Sequence, residues 1–226
     1  MKQKVSVPFM ILGIIFVVCL ITANLLETKL IKLGPIDVTA GLLVFPISYI
    51  INDCIAEVWG FKKTRLVIWC GFAMNFFVVL MGFIAVQIPA ASFWDGAEHF
   101  NFVFNFAPRI TLASLLAFLA GSFLNAYVMS KMKLMHGEKH FSLRAILSTI
   151  VGESADSLVF FPIAFWGIIS NAELLKLMLV QVCLKTVYEI IILPVTKRLV
   201  KRLKSIEGST YDENISYDFW NVTDIE

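Results

Sequence analysis

The stretch STIVGESADSLVFFPIAFWG, residues 148–167, sets two carboxylates, Glu153 and Asp156, in the middle of a segment otherwise apolar enough to cross a bilayer. At about 3.6 residues per turn, Thr149, Glu153, Asp156 and Phe160 fall on one stripe with Ser157 beside it. The polar groups converge there while Leu158, Val159 and Ile163 point elsewhere. Asp156 follows Arg144 by twelve residues, about 18 Å along a helix axis, which is close to the midplane of a hydrocarbon layer about 30 Å thick. A carboxylate at that depth costs at least about 2.5 to 3.5 kcal/mol to insert and is tolerated only where it faces protein, water or a partner. Another segment of the chain must therefore supply that partner.

The chain as a whole is of the same kind. Its 226 residues are 58% hydrophobic with a mean hydropathy of +0.80, and its charged residues, 16% of the total, gather in short runs. That leaves too little polar surface to coat a soluble globule, so the chain reads as an all-α polytopic membrane protein. A net charge of +2, with the basic residues clustered where membrane topology places them, argues against a nucleic-acid partner. Cys19, Cys54, Cys70 and Cys183 lie in apolar stretches without metal-ligand spacing and read as small buried hydrophobes.

Six spans follow in order. Val5 to Leu26 lacks a small-residue cleavage site and reads as an uncleaved first helix. A short link with Lys29, Lys32, Gly34 and Pro35 leads to a second span, Thr39 to Trp59, which carries Asn52, Asp53 and Glu57. The third, Leu66 to Ile88, holds no formal charge and is expected to be the most lipid-facing. Pro89 to Pro108 is too polar to span and reads as an interfacial loop rich in Phe and Trp. The fourth span, Arg109 to Ser130, starts just after Pro108 and repeats small residues at Ala113, Ala117 and Gly121. That face suits close helix contact, whether inside the chain or in a homodimer. The fifth span is the opening stretch. The sixth, Leu174 to Thr196, carries Gln181, Lys185 and Glu189 four residues apart, hence on one face.

Fourteen Lys and Arg residues, from Lys2 through Lys62, Lys131 and Arg144 to Lys204, flank one side of these spans, against Lys29, Lys32 and Lys176 on the other. The positive-inside rule puts both termini in the cytoplasm and residues 89–108 outside. Residues 1–204 thus form one six-helix transmembrane domain, and the acidic segment 205–226 is expected to be a mobile cytoplasmic tail.

Asp53, Asp156 and Lys185 fall near mid-height of their spans, whereas Glu27, Glu57, Arg109 and Glu189 lie nearer the ends. Opposite charges in a low-dielectric interior favour each other's ionised forms, so Lys185 is expected to neutralise one aspartate, Asp53 or Asp156, and leave one carboxylate for another task. The plain alternative is a purely structural network. His99, His136 and His140 all lie in loops, which removes a membrane-embedded Ser-His dyad or paired-His metal site. A two-aspartate intramembrane protease is disfavoured because Lys185 and the extra acids make a mixed-charge site. No phosphate-binding glycine loop occurs, so any ATP coupling would come from a separate ATPase chain.

TAGLLVFPISYIINDCIAEVWG at 39–60, WDGAEHFNFVFNFAPRITLASLLAF at 94–118, residues 148–167 and LKTVYEIIILP at 184–194 together resemble the queuosine precursor transporter family. The likeness runs in order over about residues 20–204. Matching positions are Asn24, Asp53, Arg109, Ser148, Thr149, Gly152, Asp156, Phe160, Phe161, Lys185 and Pro194; at 153, where an amide is common in the family, this chain has Glu153. The resemblance implies an inner-membrane importer of 7-deazaguanine bases for tRNA modification, related in fold to the substrate-binding subunits of energy-coupling-factor transporters, and no cofactor.

A guanine-like edge presents an N–H and an amino group side by side, which one carboxylate accepts as a pair, while its carbonyl needs a donor. The expected substrate site comprises Asn24, Asp53, Arg109, Thr149, Glu153, Asp156, Phe160, Lys185 and Glu189. Asp156 or Asp53 would accept the paired donors, and Asn24, Thr149 or Lys185 would serve the carbonyl. Phe160, Phe161 or Trp166 would cover the ring. Glu153 would suit a cationic aminomethyl or cyclopentenyl-amine substituent better than a neutral nitrile. Another purine-like base or a vitamin is the rival solute, and an intramembrane enzyme the rival class.

Overall fold

Ser6 opens the first helix, α1 (Val7–Leu26): its hydroxyl accepts a hydrogen bond from the Phe9 N–H at 3.4 Å, and Pro8 sits in the first turn where its missing N–H costs nothing. The computed structural model describes residues 5–136 and 141–207. After α1 come two short antiparallel strands, β1 (Leu30–Leu33) and β2 (Ile36–Thr39), a 3-10 turn (Ala40–Leu43), and four long helices. These are α2 (Phe45–Gln87), α3 (Ala97–His136), α4 (Phe141–Phe165) and α5 (Asn171–Glu207). Five helices are long and apolar enough to cross a membrane among the described residues.

The segment containing Lys29 and Pro35 is a hairpin rather than a plain link, pairing Leu30 with Thr39 and Leu33 with Ile36 across a turn at Gly34 and Pro35. The second span is accordingly shorter than Thr39 to Trp59, since regular helix begins at Phe45. Gly60, at φ 81° and ψ 173°, then breaks α2 into a part before and a part after it. Only glycine adopts that backbone geometry cheaply. The part at 45–59 is about 22 Å long, short of a bilayer's hydrocarbon thickness, and it raises the helical segments to six.

The expected interfacial loop is largely helical. Helix α3 begins at Ala97, twelve residues before Arg109, and Pro108 lies inside it. Phe100 and Phe104, one turn apart, bring their ring centroids to 4.6 Å, and the Phe104 ring lies on Gly82 of α2. Helical spacing and a glycine-floored slot thus hold these aromatics against a neighbouring helix.

The small-residue face of α3 is used inside the chain. Ala113 and Ala117 are fully buried, and Gly121 meets Gly152 of α4 so closely that a methyl on either would press on the other's carbonyl. One apolar core joins α1, α2, the middle of α3 and the end of α5 through Phe16, Phe72, Phe118 and Leu203. A second joins α3, α4 and the start of α5 through Ile110, Phe161, Phe165 and Leu177. In the most apolar stretch of α5 only 17% of residues are buried, against 39% for the stretch within Lys62–Gln87, so α5 rather than the third span faces outward most. Cys19 and Cys54 are buried as expected, but Cys70 and Cys183 lie on the apolar exterior.

At the basic end, Lys204 pairs with Glu57, and the Trp59 indole N–H donates to Glu207 at 3.4 Å, which ties the end of α5 to the Gly60 kink. Residues 205–207, expected to start the tail, continue α5; the remainder, 208–226, lies outside the described residues.

Candidate functional site

Helix α5 presents Gln181, Lys185 and Glu189 as one stripe facing the protein, the first two buried and the third half-buried. Each meets a different layer. The Lys185 ammonium donates to Asp156 Oδ2 at 3.0 Å and stands 3.1 Å from Glu153 Oε2, a separation of ion-pair length without hydrogen-bond alignment. Glu153 and Asp156, three apart on α4, both reach this one nitrogen because they share a helical face. The Phe45 ring of α2 covers the ammonium, its centroid 4.4 Å from Nζ, a cation–π contact strengthened by exclusion of water. Of the two aspartates open as partners for Lys185, packing selects Asp156 and adds Glu153.

About one turn toward the basic end of α5, the Thr149 hydroxyl donates to Glu189 Oε1 at 2.8 Å. About one turn the other way, Gln181 Nε2 donates to Thr39 Oγ1 at 3.0 Å and so anchors the end of the hairpin. Glu27 enters this outer layer from the end of α1, buried and hydrogen-bonded to Thr39, within electrostatic range of Lys185 and Asp156.

A groove opens below the Lys185 layer between the first part of α2, α4 and α5. Phe45, Ile50, Asp53, Glu153, Lys185, Tyr188, Glu189 and Thr196 line it, and it encloses about 440 Å³ of empty space including its mouth. Asp53 is exposed on this wall rather than buried at mid-span. Among the described residues, the Lys185 ammonium thus faces a site with five carboxyl groups, Glu27, Asp53, Glu153, Asp156 and Glu189. That balance favours a ligand rich in N–H donors or carrying positive charge.

Six of the nine expected residues meet here: Asp53, Thr149, Glu153, Asp156, Lys185 and Glu189. Asn24 lies in α1, fully buried, with neither end of its amide hydrogen-bonded. Phe160 packs edge-on against Phe161 and Phe165 in the second core. Trp166 is exposed beyond α4. Arg109 is elsewhere, its Nε and a terminal nitrogen donating to the Ile163 and Trp166 carbonyls at 2.5 and 2.7 Å. It thereby caps the C-terminal end of α4, where backbone carbonyls lack helical partners and a cation is favoured.

Glu27, Thr39, Phe45 and Tyr188 belong to the site or its rim without having been expected there. For Glu27 and Thr39 the signal would have been the hairpin, whose four-residue strands are too short to stand out in an apolar chain. Among the described residues no group of three or more His, Cys, Asp or Glu side chains is placed to hold a metal ion.

The sequence model of a family described as "putative vitamin uptake transporter" matches residues 39–199, a region that runs from Thr39 at the end of β2 through the kinked helix and includes the whole α4–α5 polar layer. The chain belongs to this family. A "Probable queuosine precursor transporter" of Bacillus subtilis (strain 168) is 27% identical over 193 residues, 84% of this chain and 83% of that protein. The "Queuosine precursor transporter" of Escherichia coli (strain K12) is 25% identical over 186 residues, 80% of each. A third relative, the "Probable queuosine precursor transporter" of Haemophilus influenzae, is 27% identical over 128 residues, 57% of this chain and 52% of its own length. No solved structure matches. Family and relatives are transporters rather than enzymes. The apolar helices and the charges between them are therefore those of a multi-pass membrane carrier.

Proposed function

We propose that this family member imports queuosine precursors, 7-deazaguanine-type bases, across the bacterial cytoplasmic membrane for use in tRNA modification. The observation that carries the reading is the groove itself, where the paired Lys185 borders the carboxylates of Asp53 and Glu189, to which the described residues supply no ion-pairing cation. The names of the relatives supply the substrate class. A 7-deazaguanine offers adjacent N–H donors to a carboxylate, and a cationic aminomethyl or cyclopentenyl-amine substituent suits the acidic wall. Because Glu153 is already ion-paired to Lys185, Asp53 and Glu189 are the groups for that substituent.

Both termini lie in the cytoplasm in this scheme, so the groove, which extends from Lys185 toward Thr196 and the basic end of α5, faces inward. In this reading the six helical segments serve as an energy-coupling-factor-like substrate-binding subunit, and a separate ATPase module would supply any ATP coupling. Ala113, Ala117 and Gly121, covered by α4, are not the surface of any homodimer.

The test is stabilisation of the purified protein across a panel of 7-deazaguanines, ordinary purines and vitamins. A rise in unfolding temperature with deazaguanines, greatest for the aminomethyl form, is expected. A response confined to ordinary purines or to a vitamin would replace the proposed substrate class with that one.

A further inference from the structure

Above the Lys185 layer lies a set of buried polar atoms that the groove does not use. Asn24 and Glu27 share one face of the last turn of α1, being three residues apart. They are 1% and 4% exposed, and Gln181 across from them is 1% exposed. Thr39 joins the two sides: it accepts from Gln181 Nε2, so its own hydroxyl proton is free to go to Glu27. This fixes the Gln181 amide with its oxygen turned away from Thr39. Both ends of the Asn24 amide, Glu27 Oε2 and Gln181 Oε1 remain without hydrogen-bond partners.

Unpaired buried polar atoms are costly, and four of them on three residues, two of these one turn apart on α1 and the third joined to Glu27 through Thr39, mark a place where a ligand repays the cost. Their chemistry is specific. Glu27 Oε2 and Gln181 Oε1 accept only, and Asn24 Nδ2 supplies donors. Three acceptor atoms and one amide donor complement a flat edge that carries adjacent N–H and amino donors next to a carbonyl.

We propose that Asn24, Glu27 and Gln181 form the subsite that reads the donor-rich edge of a guanine-like base, with Glu27 Oε2 taking the 2-amino group, Gln181 Oε1 the ring N–H and Asn24 Nδ2 donating to the carbonyl. This rests on the deazaguanine reading above and moves the recognising carboxylate from Asp156, which Lys185 occupies, to Glu27. Gly41 packs directly on the Glu27 carboxyl, leaving no room for a Cβ, so the segment 36–43 covers the subsite. One bond holding that cover to α5 is the surface ion pair of Asp37 and Lys176 at 3.6 Å, both sides about half exposed, a contact easily surrendered when substrate enters.

The experiment measures equilibrium binding to the full-length purified protein of two probes, 7-deazaguanine and 7-deazahypoxanthine, the same ring without its 2-amino group. Wild type should prefer 7-deazaguanine by roughly tenfold or more, and Glu27→Gln should reduce that preference to within about threefold. Asn24→Leu, close in shape, should bind 7-deazaguanine roughly tenfold more weakly yet unfold at the same or a higher temperature, because it removes an unsatisfied buried amide. A merely structural asparagine would instead lose stability and leave affinity per folded molecule unchanged. Wild type that binds neither probe overturns this inference together with the reading beneath it. Wild type that binds without preference, or Glu27→Gln that keeps the preference, overturns this inference alone. Should Glu27→Gln fail to fold, Asn24→Leu decides: undiminished affinity overturns the proposal, and weaker binding at undiminished stability upholds it.

Discussion

Lys185 Nζ stands 3.0 Å from Asp156 Oδ2, with both side chains more than nine-tenths buried, and joins α5 to α4 across 29 residues of chain. The nearby Glu153, 3.1 Å from the same nitrogen, makes this a three-membered charge group rather than a pair.

Lys185→Met should therefore be more damaging than loss of a simple ion pair, since two carboxylates lose their common cation. A cost of about 3 to 5 kcal/mol is expected from unfolding in detergent. Adding Asp156→Asn should recover part of it, whereas adding Asp53→Asn, on the groove wall, should recover none. Recovery with Asp53 instead of Asp156 would mean that the charge group is wired differently.

Arg109 provides a contrast between position and role. Because it donates to carbonyls at the end of α4, Arg109→Gln should lower stability by about 1 to 3 kcal/mol while leaving uptake per folded transporter unchanged. Quantified membrane abundance alongside uptake separates the two. Full stability with lost uptake would assign Arg109 to the substrate, as the family resemblance implies.

Gly121→Ala tests how tightly α3 and α4 define the site. The added methyl would sit 2.9 Å from the Gly152 carbonyl and 3.1 Å from Asp156 Cβ, and overpacking of this kind costs about 1 to 3 kcal/mol. Since Asp156 is one of the atoms pushed, binding should weaken as well. Wild-type stability and binding would show that the crossing is loose.

The proposed orientation rests on fourteen basic residues on one side against three on the other. In a protein freed of Cys19, Cys54, Cys70 and Cys183, a membrane-impermeant thiol reagent applied to cells should label a cysteine placed at Ala97. It should spare one placed at Lys201. The opposite labelling pattern would invert the protein in the membrane and turn the groove outward.

Much of the architecture was legible from local patterns. Apolar runs located the spans because a bilayer imposes a length on them, and the four-residue repeat of Gln181, Lys185 and Glu189 announced a common face because a helix has a fixed pitch. The same logic placed Glu153 and Asp156 together. These are properties of contiguous residues, which hydropathy and spacing capture in full.

Partnerships between segments were not legible in that way. Sequence left Lys185 a choice of Asp53 or Asp156, and only the packing of α4 on α5, with Gly121 and Gly152 setting how closely α3 backs α4, made it Asp156 with Glu153. Arg109 has the residue type of a substrate contact but lies at the end of α4, where unpaired carbonyls take it up. Glu27 looked like a residue closing the first span; the hairpin folding back to Thr39 and Gly41 buried it instead. The sequence by itself determined which residues carry charge at which depth of which helix. Tertiary structure decided which charges neutralise one another and which keep free oxygens, because electrostatic energy in a low dielectric depends on separations of a few ångströms between helices far apart along the chain.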